Sequence, residues 1–284
     1  MSALLENPVA LDLKAERNSP LRLRRDQPES VGRINDSVPT FPTGHSGIEE
    51  HSMPFHAFLE YSMSLLFPAL FFLCFYFSFA HLYDIGWVWL VVPAIPISMV
   101  WGDLMGGLVH WFADTYFSEE TPVIGPALIK PFRQHHIYPR DICTHNLVTM
   151  VGNVCILAVP ILAFCLYLLW VRPHGLLVFA ILCTTLMAAA TVATNVFHKW
   201  AHQEHPPGPV RWLQRSRLVL APAHHGVHHT EPFDMHYCIT NGWLNPLLNR
   251  IKFFRRLEAA LLLIGVKTAK ARSLNSSSTL LSRS

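Results

Sequence analysis

Charge is scarce in this chain. Only 14% of its 284 residues are Asp, Glu, Lys or Arg, while 51% are hydrophobic, a balance too poor in charge for an ordinary water-soluble domain. The scarcity is uneven. Residues 62–80, 85–109, 147–171 and 176–197 hold a single charged side chain among them, Asp103, and each stretch is near or above the ~18 to 20 residues that cross ~30 Å of hydrocarbon. Cysteine is also sparse. There are six, without a repeated spacing, and Cys74, Cys143, Cys155, Cys165 and Cys183 lie in or near the apolar stretches; this excludes a disulfide framework and reads as small buried thiols. The net charge is only +3 and is spread over the loops, which leaves no basic groove for nucleic acid.

What is present is a four-span pattern. The first apolar stretch starts about sixty residues in and lacks a basic leader with a small-residue cleavage site, so it is expected to be retained as a span. With both termini cytoplasmic, the inner segments carry 21 Lys and Arg residues and the outer loops only Arg172. That asymmetry fixes the orientation, because positive residues stay inside. The run 257–266 is too short to span and follows Arg255 and Arg256, so it is expected to be a helix lying in the interface. The expected fold is an all-α integral membrane protein, four transmembrane helices with a cytoplasmic histidine-rich di-metal cap. Residues 1–56 form a leader expected to be disordered, 57–267 the membrane domain, and 268–284 a disordered tail.

Twelve of the 17 histidines fall on the expected cytoplasmic side. His45, His51 and His56 lie in the leader or its junction, and His81 and His174 flank outer turns. Span two ends in "DLMGGLVHWFADTY", where helical spacing puts Asp103, Gly107, His110 and Asp114 along one face. Span four ends in "NVFHKWAH", with Asn195, His198 and His202 one turn apart on a shared face. Lys199 stands where a zinc peptidase of the HExxH type needs Glu, which argues against that chemistry. His135 and His136 sit between Pro131 and Pro139, in what reads in isolation as a polar loop; adjacent helical residues point about 100° apart, so the two imidazoles would serve different partners. "PAHHGVHHTEP" adds His225, His228 and His229, with His224 one turn from His228.

A structural or hydrolytic zinc needs three or four protein ligands. The candidates exceed that, so two ions are more economical. Imidazole suits iron, zinc or copper, and a His-rich shell with a nearby carboxylate fits oxygen-activating non-haem iron, whereas bis-His haem would need histidines facing each other deep in the spans, where this chain has none. A metal transporter would need polar groups at mid-depth, which only Asp103 approaches. A zinc-dependent lipid hydrolase would work without oxygen or reductant.

The stretches "GDLMGGLVHWFADTYFSEETPVIGPALIKPFRQHHIYPRDICTHN", "HKWAH" and "HHGVHHTEPFDMHYCITNGWLN" resemble the Kua-type membrane lipid desaturases over residues 84–250. The resemblance implies an O2-dependent oxidoreductase that forms the vinyl ether double bond of plasmalogens, between C1 and C2 of the O-alkyl chain of plasmanylethanolamine. It implies a non-haem centre of two Fe, a membrane phospholipid substrate, and electrons from an external donor such as cytochrome b5 or a ferredoxin. A fatty-acyl lipid desaturase or hydroxylase with the same metals is the alternative. The membrane would be a bacterial plasma membrane or the endoplasmic reticulum. Carried onto this chain, the family's metal positions fall on His110, Asp114, His135, His136, His145, His198, His202, His224, His225, His228 and His229, with His236 outside the site. Gly102 and Gly106 form a GxxxG pattern expected to allow close helix packing.

Overall fold

The computed structural model describes residues 54–171 and 174–269. Residues 1–53 of the leader, including His45 and His51, together with Arg172 and most of the tail, lie outside the described residues, while Pro54–His56, expected to end a disordered leader, open a helix. Among the described residues every regular element is helical. Four long helices dominate: α1 (Pro54–Asp84), α2 (Val91–Thr115), then, after the short α3 (Lys130–Ile137), α4 (Leu147–Trp170) and α5 (Gly175–His202). Each is long and apolar enough to cross a membrane, which marks a membrane protein. Their outward surface agrees: Leu65, Phe72, Val92, Leu157 and Phe164 are all exposed, an arrangement stable only against lipid tails.

α1, α2 and α5 outrun their apolar stretches at the C-terminal end. α2 continues through His110 and Asp114, and α5 continues through His198 and His202. The metal-capable side chains therefore stand on rigid helical extensions, not on loops.

α1 and α4 run parallel to each other. Gly152 of α4 meets the Glu60 side chain of α1, and the Cys74 thiol donates to the Leu162 carbonyl at 3.3 Å. α2 and α5 form the second parallel pair, and α5 also packs against α1 and α4, so it lies at the centre of the bundle. The expected close approach of α2 occurs at Gly102, where a Cβ would lie 2.8 Å from the Cβ of Ala190. Gly106 has ordinary clearance. The second tight position is instead Gly107, against Cys238. All six cysteines are free thiols.

The remaining helices form a cap over the C-terminal ends of α2 and α5: α6 (Gly208–Arg215), α7 (Pro222–His228), α8 (Asn245–Arg250) and α9 (Phe253–Leu263). The segment around His135 is helical, where the sequence alone suggested a loop. Pro131 sits in the first turn of α3, where a missing N–H costs nothing, and Pro139 follows the C-cap Tyr138. The apolar run placed at 257–266 begins as a helix earlier, at Phe253. Phe254 anchors it between the rings of Trp111 and Tyr237, at centroid distances of 5.6 and 4.8 Å.

Candidate metal centre

Nine side chains from four elements converge at the capped end of the bundle. α2 contributes His110 and Asp114, and α5 contributes His198 and His202, each pair one turn apart. α3 contributes His135 and His136. α7 and its C-cap contribute His225, His228 and His229.

They divide into two groups. His135, His198, His202, His225 and His229 form the first; His110, Asp114, His136 and His228 form the second. Within each group one ligand atom per residue lies within 4.8 Å of all the others. Both adjacent pairs are split between the groups, His135 from His136 and His229 from His228.

In the five-histidine group the Nε2 atoms face one another. His198 and His225 approach to 2.8 Å, His225 and His202 to 2.8 Å, and His202 and His198 to 3.2 Å. His135 is 3.0 Å from His202, and His229 is 3.0 Å from His225. A neutral imidazole carries one N–H, so a triangle of Nε2 atoms cannot satisfy itself by hydrogen bonds. Five lone pairs aimed at one point suit a cation.

The second group contains the carboxylate. Oδ2 of Asp114 lies 3.5 Å from Nε2 of His110, 3.6 Å from that of His136 and 3.5 Å from that of His228. Among the described residues neither Asp114 oxygen has a hydrogen-bond partner, although both are buried. A buried acceptor pair is costly unless a charge compensates it, and a metal ion would do so. The donor set therefore fits a metal on the chemistry of its own atoms.

Two backbone carbonyls fix the rings. His110 Nδ1 donates to the Tyr237 carbonyl at 3.2 Å, and His228 Nδ1 to the Met235 carbonyl at 2.8 Å. A carbonyl only accepts, so the proton is on Nδ1 and the Nε2 lone pair is free to bind metal. Burial pushes the cap imidazoles towards their neutral form: His136 is pushed down to about 4, and His228 to about 3 by burial and then by neighbouring imidazoles. His135 and His225 also sit well below the ordinary histidine value, through burial and then their neighbours. Neutral rings are the form that ligates.

Two of the eleven sequence-derived positions stand outside both groups. His145 is half-buried, and its backbone carbonyl accepts from Lys199 Nζ at 2.8 Å. His224 stacks on His236 at 4.3 Å, and its Nε2 meets the Asn245 amide nitrogen at 2.9 Å. Sequence reasoning gave no role to Asn245 or to the carboxylate of Asp103, and both turn out to be structural anchors. The Asp103 oxygens accept from the backbone N–H groups of Thr240, Asn241, Gly242 and Leu244 at 3.0 to 3.2 Å. Hydrogen bonds to a charged group contribute about 1.5–3 kcal/mol each, so four offset a burial penalty of several kcal/mol. This acid is committed to the backbone of one segment. Only its place on the face of α2 shared with His110 hinted at a link to the site.

A helical membrane protein with nine metal donors gathered at one end of its bundle is a membrane metalloprotein in architecture. Residues 99–272 match the lipid desaturase domain, and the chain belongs to that family. It is 40% identical over 173 residues to plasmanylethanolamine desaturase of Myxococcus xanthus, a match covering 60% of each protein. It is 36% identical over 181 residues to plasmanylethanolamine desaturase 1 of Mus musculus, covering 60% of this chain and 66% of that one. Fatty acid desaturase 4, chloroplastic, of Arabidopsis thaliana is 32% identical over 158 residues, covering 55% of this chain and 47% of its own. The matched segment thus spans less than two thirds of each of these relatives. No solved structure matches the chain.

Proposed function

We propose that the chain is an O2-dependent membrane lipid desaturase that introduces the vinyl ether bond of plasmalogens, between C1 and C2 of the O-alkyl chain of plasmanylethanolamine. The observation that carries this reading is the division of nine donors into adjacent groups of five and four, a set that fits two ions of non-haem iron. The relatives from Myxococcus xanthus and Mus musculus, named for this reaction, support the substrate.

Bound iron would supply the oxidising power needed to break unactivated C–H bonds. The protein's own residues do the rest. His135, His198, His202, His225 and His229 would hold one ion, and His110, Asp114, His136 and His228 the other. The Tyr237 and Met235 carbonyls keep two of those rings in the ligating tautomer. Phe132 packs edge-on to His110 at 5.2 Å and Phe233 stacks on His136 at 4.8 Å, which limits water around the four-donor group. The alkyl chain would enter from the lipid between helices whose outer faces are apolar. The balance is simple: the alkyl chain loses two hydrogens, and O2 takes these with two electrons and two protons to give two waters. The electrons come from a separate donor such as cytochrome b5 or a ferredoxin. With the basic loops inside, the metal end of the bundle and both termini face the cytoplasm.

The relative from Arabidopsis thaliana favours a second reading, desaturation of a fatty-acyl chain by the same centre. Lipid analysis of cells with and without the chain separates the two. An acid-labile ether lipid that appears only with the chain is the expected result. An acid-stable alkene would transfer the reading to the acyl substrate, and unchanged lipids under aerobic, reductant-supplied conditions would refute both.

A further inference from the structure

Asp103 is the one charged side chain of the four apolar stretches, and it is fully buried. Every partner it has here is a backbone N–H of one segment. Oδ1 accepts from Thr240, Asn241 and Gly242, and Oδ2 from Leu244. One turn further along α2, Gly107 leaves space for hydrogen alone: a Cβ there would lie 2.6 Å from Cys238 Sγ and 3.2 Å from the Cys238 nitrogen. Thr194 of α5 adds a hydroxyl contact to Thr240 at 2.7 Å. Asn245 closes the segment on itself, accepting from the Cys238 nitrogen and donating to the Cys238 carbonyl. Residues 235–245 are therefore a strap tied down along α2.

The strap also carries the two carbonyls that hold metal-group histidines, Met235 on His228 and Tyr237 on His110. Both histidines belong to the same group, the one with Asp114. In the other group, Nδ1 of His225 has no hydrogen-bond partner among the described residues.

We propose, on the reading of the four-donor group as a metal site, that Asp103 is a positioning residue for that group. It anchors the strap whose carbonyls orient the His110 and His228 imidazoles. The strap also touches α7 and its approach, through the Thr240 carbonyl on the Leu220 N–H and through His236 and Asn245 on His224, so the comparison is made with the histidines of α5. Partners that orient ligands in this way are worth roughly 10- to 100-fold in metal affinity or activity.

The test uses the full-length protein in lipid nanodiscs, with Asp103→Asn and Gly107→Ala as independent variants. Asn keeps an acceptor for the first three amides but turns an N–H towards that of Leu244. Gly107→Ala displaces the strap without touching Asp103. Histidine modification by diethyl pyrocarbonate, read peptide by peptide, and metal content are measured in both. The expected result is modification of His110 and His228 roughly tenfold faster, scaled to the effect of such orienting partners. His198 and His202 keep the wild-type rate, and the protein loses half of its bound metal. Unchanged rates at His110 and His228 in both variants would overturn the proposal. So would equal increases at all four histidines, which would mean general loosening. If the wild type carries fewer than two ions the two-ion reading fails, and the histidine pattern alone still decides the role of Asp103.

Discussion

His135 and His136 are neighbours in sequence, yet their imidazoles belong to different groups, with ring centroids 6.5 Å apart. Nε2 of His135 lies 3.0 Å from that of His202, and Nε2 of His136 lies 2.9 Å from that of His228. A helix sets successive side chains about 100° apart, and α3 lies between the groups so that this angle separates them.

If each group holds one ion, as proposed, the split makes the two sites separable by mutation. His135→Ala, like His198→Ala or His225→Ala, is expected to remove the ion of the five-histidine group, and His136→Ala that of the four-donor group. Each should lower iron from about two ions per chain towards one, because every donor removed belongs to one group and leaves the other group's donor set whole. Product should vanish in all of these variants, while His174→Ala stays at wild type. Iron by elemental analysis and vinyl ether by acid lability are the measurements. One zinc and no iron in the wild type would sink the iron assignment.

His224 gives the opposite expectation. Its ring is occupied with His236 and Asn245, outside both groups. His224→Ala should keep both ions and lose activity only in part, by loosening Asn245. Loss of a full equivalent of metal would return His224 to the ligand set.

Much of this site was legible because His and Asp are rare at the ends of apolar helices, and spacing of four encodes a shared face. Which imidazole joins which group was not legible, since that depends on how α3 and α7 dock. His224 looks in sequence like the three histidines after it, and only the Asn245 amide distinguishes it. The α3 helix was hidden by its flanking prolines, although Pro131 in a first turn is compatible with helix. Hydropathy also stops short of the helix ends: α2 and α5 continue for a turn or more beyond their last lipid-facing residues, because backbone hydrogen bonding does not need apolar side chains. Beyond its place on the face of α2 shared with His110, the anchoring by Asp103 left no signature, since its partners are backbone amides.

Packing between α2 and α5 can be tested with two glycines four residues apart. Gly102→Ala puts a Cβ 2.8 Å from that of Ala190, on two rigid helices, whereas Gly106→Ala meets its nearest atom at 3.5 Å. Replacing helical Gly by Ala gains roughly 1 kcal/mol from propensity, and overpacking costs about 1–3 kcal/mol. Gly106→Ala should therefore match or exceed wild-type thermal stability in detergent, and Gly102→Ala should fall below it. Equal midpoints for the two would refute the close contact at Gly102.

Asp114 distinguishes a ligand from an orienting carboxylate. A carboxylate that orients an imidazole accepts from the ring nitrogen that does not bind metal. In His110 that nitrogen is Nδ1, and it is already bonded to the Tyr237 carbonyl; in His228 it is bonded to the Met235 carbonyl. Asp114 instead faces the Nε2 atoms of His110, His136 and His228, where an ion would sit. We propose direct ligation, which predicts that charge matters as well as shape. Asp114→Asn keeps one acceptor oxygen but should lose the ion of the four-donor group, as Asp114→Ala should, with product abolished in both. The five-histidine group should keep its ion in both variants. An Asn variant that retains most of the metal and part of the activity would place Asp114 outside the ligand set, and full activity in the Ala variant would leave it without a part in the site.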